Sequence, residues 1–205
     1  MFRALATCVL CLLAVPRMAA AEWHITPMIG VTFAGRTTLV DPQHAADERH
    51  VDFGGAVTLL GAGVLGAEAV ITFTPGFFQA NQSPLSMDVA PPELKSSHVL
   101  AVMGNAVLTT PRRWTEYGLR PLVSGGLGVL HASQVPVVDR APSIHAGMAG
   151  FNVGGGAVGF LSARTGVRFD IRYYSTLRPT DRGDMALGLA RLHYMTASVG
   201  LVIRR

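Results

Sequence analysis

The 205-residue chain has two cysteines, Cys8 and Cys11, and both stand close to its start. Beyond Cys11 no thiol remains for a disulfide, a thiolate nucleophile or a sulfur-ligated metal. Lysine is nearly absent: Lys95 is the single lysine among 17 basic residues, and the arginines are scattered. Without a basic stripe, a nucleic-acid partner gains no support. Charged residues make up 15% of the chain, against about 25% in an ordinary soluble domain. A sustained helical period is also missing, and 23 glycines and 12 prolines weigh against a helical bundle.

The opening residues account for part of the apolar balance. Met1-Phe2-Arg3 is a short basic start, Ala4–Val15 an apolar run, and Ala19-Ala20-Ala21 a small-residue cleavage site. This is the layout of a secretory signal peptide over 1–21, with the mature chain running over 22–205. Removing Arg3 and Arg17 takes the formal charge from +4 to +2.

The mature chain alternates with a period of two, as strands do when successive side chains face opposite ways. In "GVRFDIRYY", Val167, Phe169, Ile171 and Tyr173 share one face; Arg168, Asp170, Arg172 and Tyr174 share the other. Trp23, Ile25, Ile29, Val31 and Phe33 form a similar apolar row. Eight strands are predicted, over 22–34, 50–61, 65–79, 97–110, 118–132, 150–161, 165–178 and 190–204. Most exceed the usual 5–6 residues of a globular strand and suit a tilted membrane crossing of about 9–11 residues. Long and short connections alternate, as in barrels with long external loops and short periplasmic turns. The expected fold is all-β: an eight-stranded antiparallel up-and-down transmembrane barrel.

Two glycine patterns compete with that reading. Gly61-Ala62-Gly63-Val64-Leu65-Gly66 and Gly154-Gly155-Gly156-Ala157-Val158-Gly159 both fit G-x-G-x-x-G. A dinucleotide site needs a helix to open at the glycines. Here "AEAVITFTPGFF" and "FLSARTGVRFDIRYY" follow, and both read as turn and strand. The first pattern is therefore expected to be a hairpin turn. In the second, the glycines are expected to make room inside a narrow barrel. Residues 53–79 carry one charge, Glu68, but their glycines, Pro75 and their alternation exclude a transmembrane helix.

The blocks "GAEAVITFTPGFF", "VLAVMGNAVLTTP", "LRPLVSGGLGVLHA", "NVGGGAVGFL" and "GVRFDIRYYSTL", taken in order, resemble a bacterial outer-membrane β-barrel domain family of small eight-stranded barrels. The resemblance implies an outer-membrane location, with lipid, lipopolysaccharide and the barrel-assembly machinery as partners. It names no reaction; the expected protein is a monomer with a structural or surface-interaction role and without catalysis or a cofactor. Members usually end in an aromatic residue; this chain ends Val202-Ile203-Arg204-Arg205.

If the apolar faces meet lipid, Glu68, Arg120, Arg168, Asp170 and Arg172 point inward, where charges must be paired or hydrated. They form either an ion-pair plug or a proton or ion path. Trp23, Phe77, Phe78, Trp114, Tyr117 and Tyr173 fall near strand ends and are expected in interfacial aromatic girdles. His98 beside Ser96 and Ser97 is the one place where a lipid-modifying barrel hydrolase could be sought; a narrow solute pore is the other alternative. His24, His98, His131 and His193 lie on separate strands without ligand spacing.

Overall fold

The computed structural model describes residues 22–37, 49–61, 63–78, 94–111, 114, 118–136, 144–177 and 191–205. The expected signal peptide, Tyr117 and the Ser96 side chain lie outside the described residues. Eight strands follow one another: β1 (Glu22–Thr37), β2 (His50–Leu60), β3 (Leu65–Pro75), β4 (Leu94–Thr109), β5 (Leu119–Pro136), β6 (Ile144–Phe160), β7 (Thr165–Thr176) and β8 (Leu192–Arg204). Each pairs antiparallel with its neighbours in sequence, and β8 returns to β1 to close the barrel. At the seam, Trp23 and Arg205 exchange backbone hydrogen bonds at 3.2 and 2.9 Å. Closure gives every strand a paired neighbour on both sides, which is what a bilayer interior demands of a sheet.

Strands β4, β5 and β6 outrun their predicted limits at the end bearing the longer connections. The β5–β6 pairing continues to Gln134 opposite Ile144. Ala146, Gly147, Ala149 and Gly150 are too small to show the alternation on which a strand reading depends.

Burial runs opposite to that of a soluble domain. Ile25, Ile29, Phe53, Ile71, Val123, Leu127, Phe169, Ile171 and Leu201 are all about half exposed, while Glu68, Asn105, Arg120, Arg168, Asp170 and Arg172 are buried. The outward rows are therefore apolar, and the charges of β3, β5 and β7 face inward.

The lumen is filled in layers. On the side of the longer connections, Met103, Leu130, Met148, Tyr174, Tyr194, Phe77 and Phe78 pack together. Toward the short turns, Leu60, Val107, Leu122, Val158 and Val202 pack with Phe160. Between these apolar layers lie the charges of β3 and β7.

The glycine patterns resolve in the expected manner. Gly61 and Gly66 flank the β2–β3 turn and the first residues of β3. Gly154 and Gly156 stand opposite Arg172 and Asp170 across the β6–β7 ladder. A Cβ on Gly156 would lie 2.0 Å from the Phe169 carbonyl oxygen. At Gly126 it would lie 2.0 Å from the Gly104 oxygen and 2.4 Å from Oδ1 of Asn105. These positions require the absence of a side chain. Gly156→Ala should therefore destabilise the folded barrel by about 1–3 kcal/mol, read as a lowered urea midpoint in lipid vesicles. An unchanged midpoint would contradict this close approach.

Candidate functional site: a charge quartet across the lumen

Arg168, Asp170 and Arg172 project from β7 into the lumen because they occupy alternate positions of one strand. Glu68 projects from β3. In a closed ring of eight strands, β3 and β7 are four apart and stand on opposite walls. The two arginines bridge the gap.

Arg168 donates through Nη1 to Oε2 of Glu68. It also reaches Asp170 Oδ2 through Nη2 at 2.5 Å and Nε at 3.2 Å. Arg172 donates from Nη2 to Glu68 Oε1 at 2.9 Å and from Nε to Asp170 Oδ1 at 3.1 Å. Each guanidinium thus contacts both carboxylates, and two positive charges meet two negative ones.

Neutral groups complete the ring. Thr58 Oγ1 donates to Glu68 Oε2 at 3.0 Å, and Asn105 Nδ2 donates to Oε1 at 3.2 Å. All four charged residues are at most 4% exposed. Burial at that depth is tolerable only for ions that are paired and hydrogen-bonded.

Arg120 is buried, apart from this quartet. It belongs to a second group near the short turns. There Glu22 lies 3.1 Å from Arg204, 3.4 Å from His24 and 3.9 Å from Arg120. Arg120 Nε also donates to the Thr110 carbonyl at 3.0 Å. This second group was missed from sequence, although Glu22, His24, Arg120 and Arg204 all fall on inward-facing rows at strand ends.

Phe77 and Phe78 require a correction: they lie inside the barrel mouth and not on its outer surface. Gly76, with φ of 70°, turns the chain inward after β3. Its N–H donates to the Ser97 carbonyl at 2.7 Å, and the Phe78 N–H donates to Ser97 Oγ at 3.3 Å. Phe77 then packs edge-on against Phe78 and Tyr194, with centroids 5.0 and 5.3 Å apart. Trp23 is half exposed on β1, and Trp114 is exposed between β4 and β5. Tyr173 is half-buried on the outward row of β7, its ring 6.2 Å from Phe151 and 6.4 Å from His193.

Among the described residues the histidines do not converge. His24 lies in the lumen, whereas His98 lies against Phe73, with ring centroids 5.4 Å apart. Ser97 is buried on the inward row of β4. Ser97 and His98, as consecutive strand residues, face opposite sides of the wall and cannot form a nucleophile–base pair. No group of three metal-binding side chains occurs among the described residues.

The quartet should behave as one unit. Asp170→Asn alone should cost about 3 kcal/mol or more, because it leaves buried arginines short of negative charge. The double variant Asp170→Asn with Arg168→Gln should cost less than the two single changes summed, by at least about 1 kcal/mol. Urea unfolding of the four proteins in vesicles measures the coupling. Additive costs would mean that the two side chains do not act on each other.

No family model matches the chain, and no curated protein matches it in sequence. Solved structures do share its fold. Neisserial surface protein A superposes with a TM-score of 0.52 at 11% identity, covering 88% of this chain and 97% of that one. Ail, the attachment invasion locus protein of Yersinia pestis, solved with the heparin analogue sucrose octasulfate, gives 0.52 at 14% identity, covering 90% and 99%. The outer membrane protein OprG from Pseudomonas aeruginosa gives 0.54 at 11% identity, covering 91% and 96%. With its closed eight-stranded ring, apolar exterior and charged lumen, the chain has the fold of the small eight-stranded outer-membrane barrels.

Proposed function

We propose that this protein is a monomeric barrel of the bacterial outer membrane, exported by a signal peptide over residues 1–21 and inserted by the barrel-assembly machinery. Its role is structural or surface-interacting, carried by the longer connections at one end. The observation that carries this reading is the inverted burial. A continuous wall of exposed Ile, Val, Leu and Phe surrounds buried ion pairs, an arrangement that is stable only where the surroundings are apolar.

The lumen is a plug in this reading, and the barrel is closed to solutes. Eight tilted strands enclose just enough space for side chains. Here that space holds an aromatic layer, a neutral charge quartet and a second apolar layer. The quartet lowers the cost of burying charge and ties opposite walls together. No catalytic step is assigned to it, since each charged group is engaged by its neighbours.

The protein should remain with the outer membrane through a carbonate wash and migrate faster on gels unheated than boiled. In planar bilayers it should show no steady conductance at neutral pH. Recovery from the soluble periplasmic fraction would overturn the membrane reading. Stable channels would overturn the plug while leaving the barrel intact.

A further inference from the structure

Strand β1 carries one irregularity against β8. Phe33 pairs with Met195, and the next pairing is Arg36 with His193. Three residues of β1 are spent against two of β8, so β1 holds one extra residue. Ala34 takes φ of 51° within this bulge, a left-handed conformation uncommon outside glycine. Bulges re-aim the side chains that follow them. Without this one, Arg36 would continue the inward row of Glu22, His24, Thr26 and Thr32. With it, Arg36 stands beside His193 and is exposed.

The neighbouring strands place more groups on that outer face. Arg49, just before β2, is exposed and in step with the outward residues Val51 and Phe53. Arg191, just before β8, is exposed and in step with His193. Tyr173 of β7 faces His193 at 6.4 Å. Strand order is β7, β8, β1, β2, and neighbouring strands are about 4.8 Å apart. Tyr173, His193, Arg36 and Arg49 therefore follow one another around one sector of the rim. On the same outward rows the next side chains below them are Ile171, Met195, Phe33 and Val51, all apolar. Among the described residues no carboxylate pairs with Arg36 or Arg49.

The geometry points to an outward-facing site for the phosphate of a lipid headgroup, built by the β1 bulge, with Arg36 and Arg49 as its cationic ligands. It rests on the outer-membrane reading above. Guanidinium forks suit phosphate because they donate several hydrogen bonds in one plane. Their position at the upper limit of the apolar wall is where headgroups meet acyl chains. In the leaflet on the side of the longer connections, the matching ligand is a phosphorylated glycolipid. Its chains would lie along the apolar wall while its phosphate meets the arginines.

The test uses the folded protein in neutral detergent micelles, with folding checked by the mobility shift between unheated and boiled samples. Native mass spectrometry then compares retention of bisphosphorylated lipid A with that of the same lipid stripped of phosphate. The wild-type protein should favour the phosphorylated lipid by about tenfold, the scale of a charge-assisted contact. Arg36→Gln with Arg49→Gln should remove most of that preference, and Arg36→Lys alone should keep part of it. Arg164→Gln with Arg205→Gln, two exposed arginines at the opposite end, should leave it unchanged. Full preference in the folded Arg36→Gln, Arg49→Gln protein would overturn the proposal. So would an equal loss from the opposite-end pair, or displacement of the lipid by millimolar inorganic phosphate, which would make this a free-ion site. Failure of the outer-membrane reading would show separately, as extraction of the protein by carbonate.

Discussion

Two arginines and two carboxylates close a neutral ring across the lumen, joining β7 to the opposite wall at β3. The rest of the architecture is arranged around that ring. A barrel in lipid must turn its apolar residues outward, so its interior receives whatever polar groups the alternating strands carry. Those groups can remain charged in so narrow a space only by neutralising one another. Glu68 does this from a strand four places away, with Thr58 and Asn105 occupying positions around its oxygens.

The space for this ring comes from the walls beside it. Gly154 and Gly156 stand opposite Arg172 and Asp170, and Gly200 stands opposite Arg168. A Cβ would meet Cγ of Arg172 at Gly154, the backbone of Phe169 and Asp170 at Gly156, and Met28 and Thr26 of β1 at Gly200. The aromatic layer above and the aliphatic layer below then limit the access of water to the ions. The packing that shields the quartet is the same packing that occupies the lumen above and below it.

Much of this was legible in the sequence because alternation survives wherever side chains are large. The outward and inward rows of β7 could be read directly, and so could the need for Arg168, Asp170 and Arg172 to find partners inside. That they converge on Glu68 and leave Arg120 aside depends on which strands face each other, and topology is not written in local pattern. Two local events also broke the strict alternation. Gly76 turned Phe77 and Phe78 into the mouth, and the extra residue near Ala34 rotated Arg36 onto the outside. The Pro75-Gly76 pair was a visible sign of the first. Gly35 in "TFAGRT" is a weak mark of the second, one strand glycine among many, and alanine seldom adopts the conformation that Ala34 holds.

The account stands on the direction in which the strands face. Single cysteines placed along β3 in a Cys8→Ser, Cys11→Ser background, spin-labelled and reconstituted in vesicles, report that direction residue by residue. Labels at Ala67, Ala69 and Ile71 should be readily relaxed by oxygen dissolved in lipid and little affected by a water-soluble nickel chelate. Labels at Val70 and Thr72 should be shielded from both. Inverted alternation, or access of the nickel chelate to Val70 and Thr72, would contradict a barrel with lipid outside and a filled lumen within.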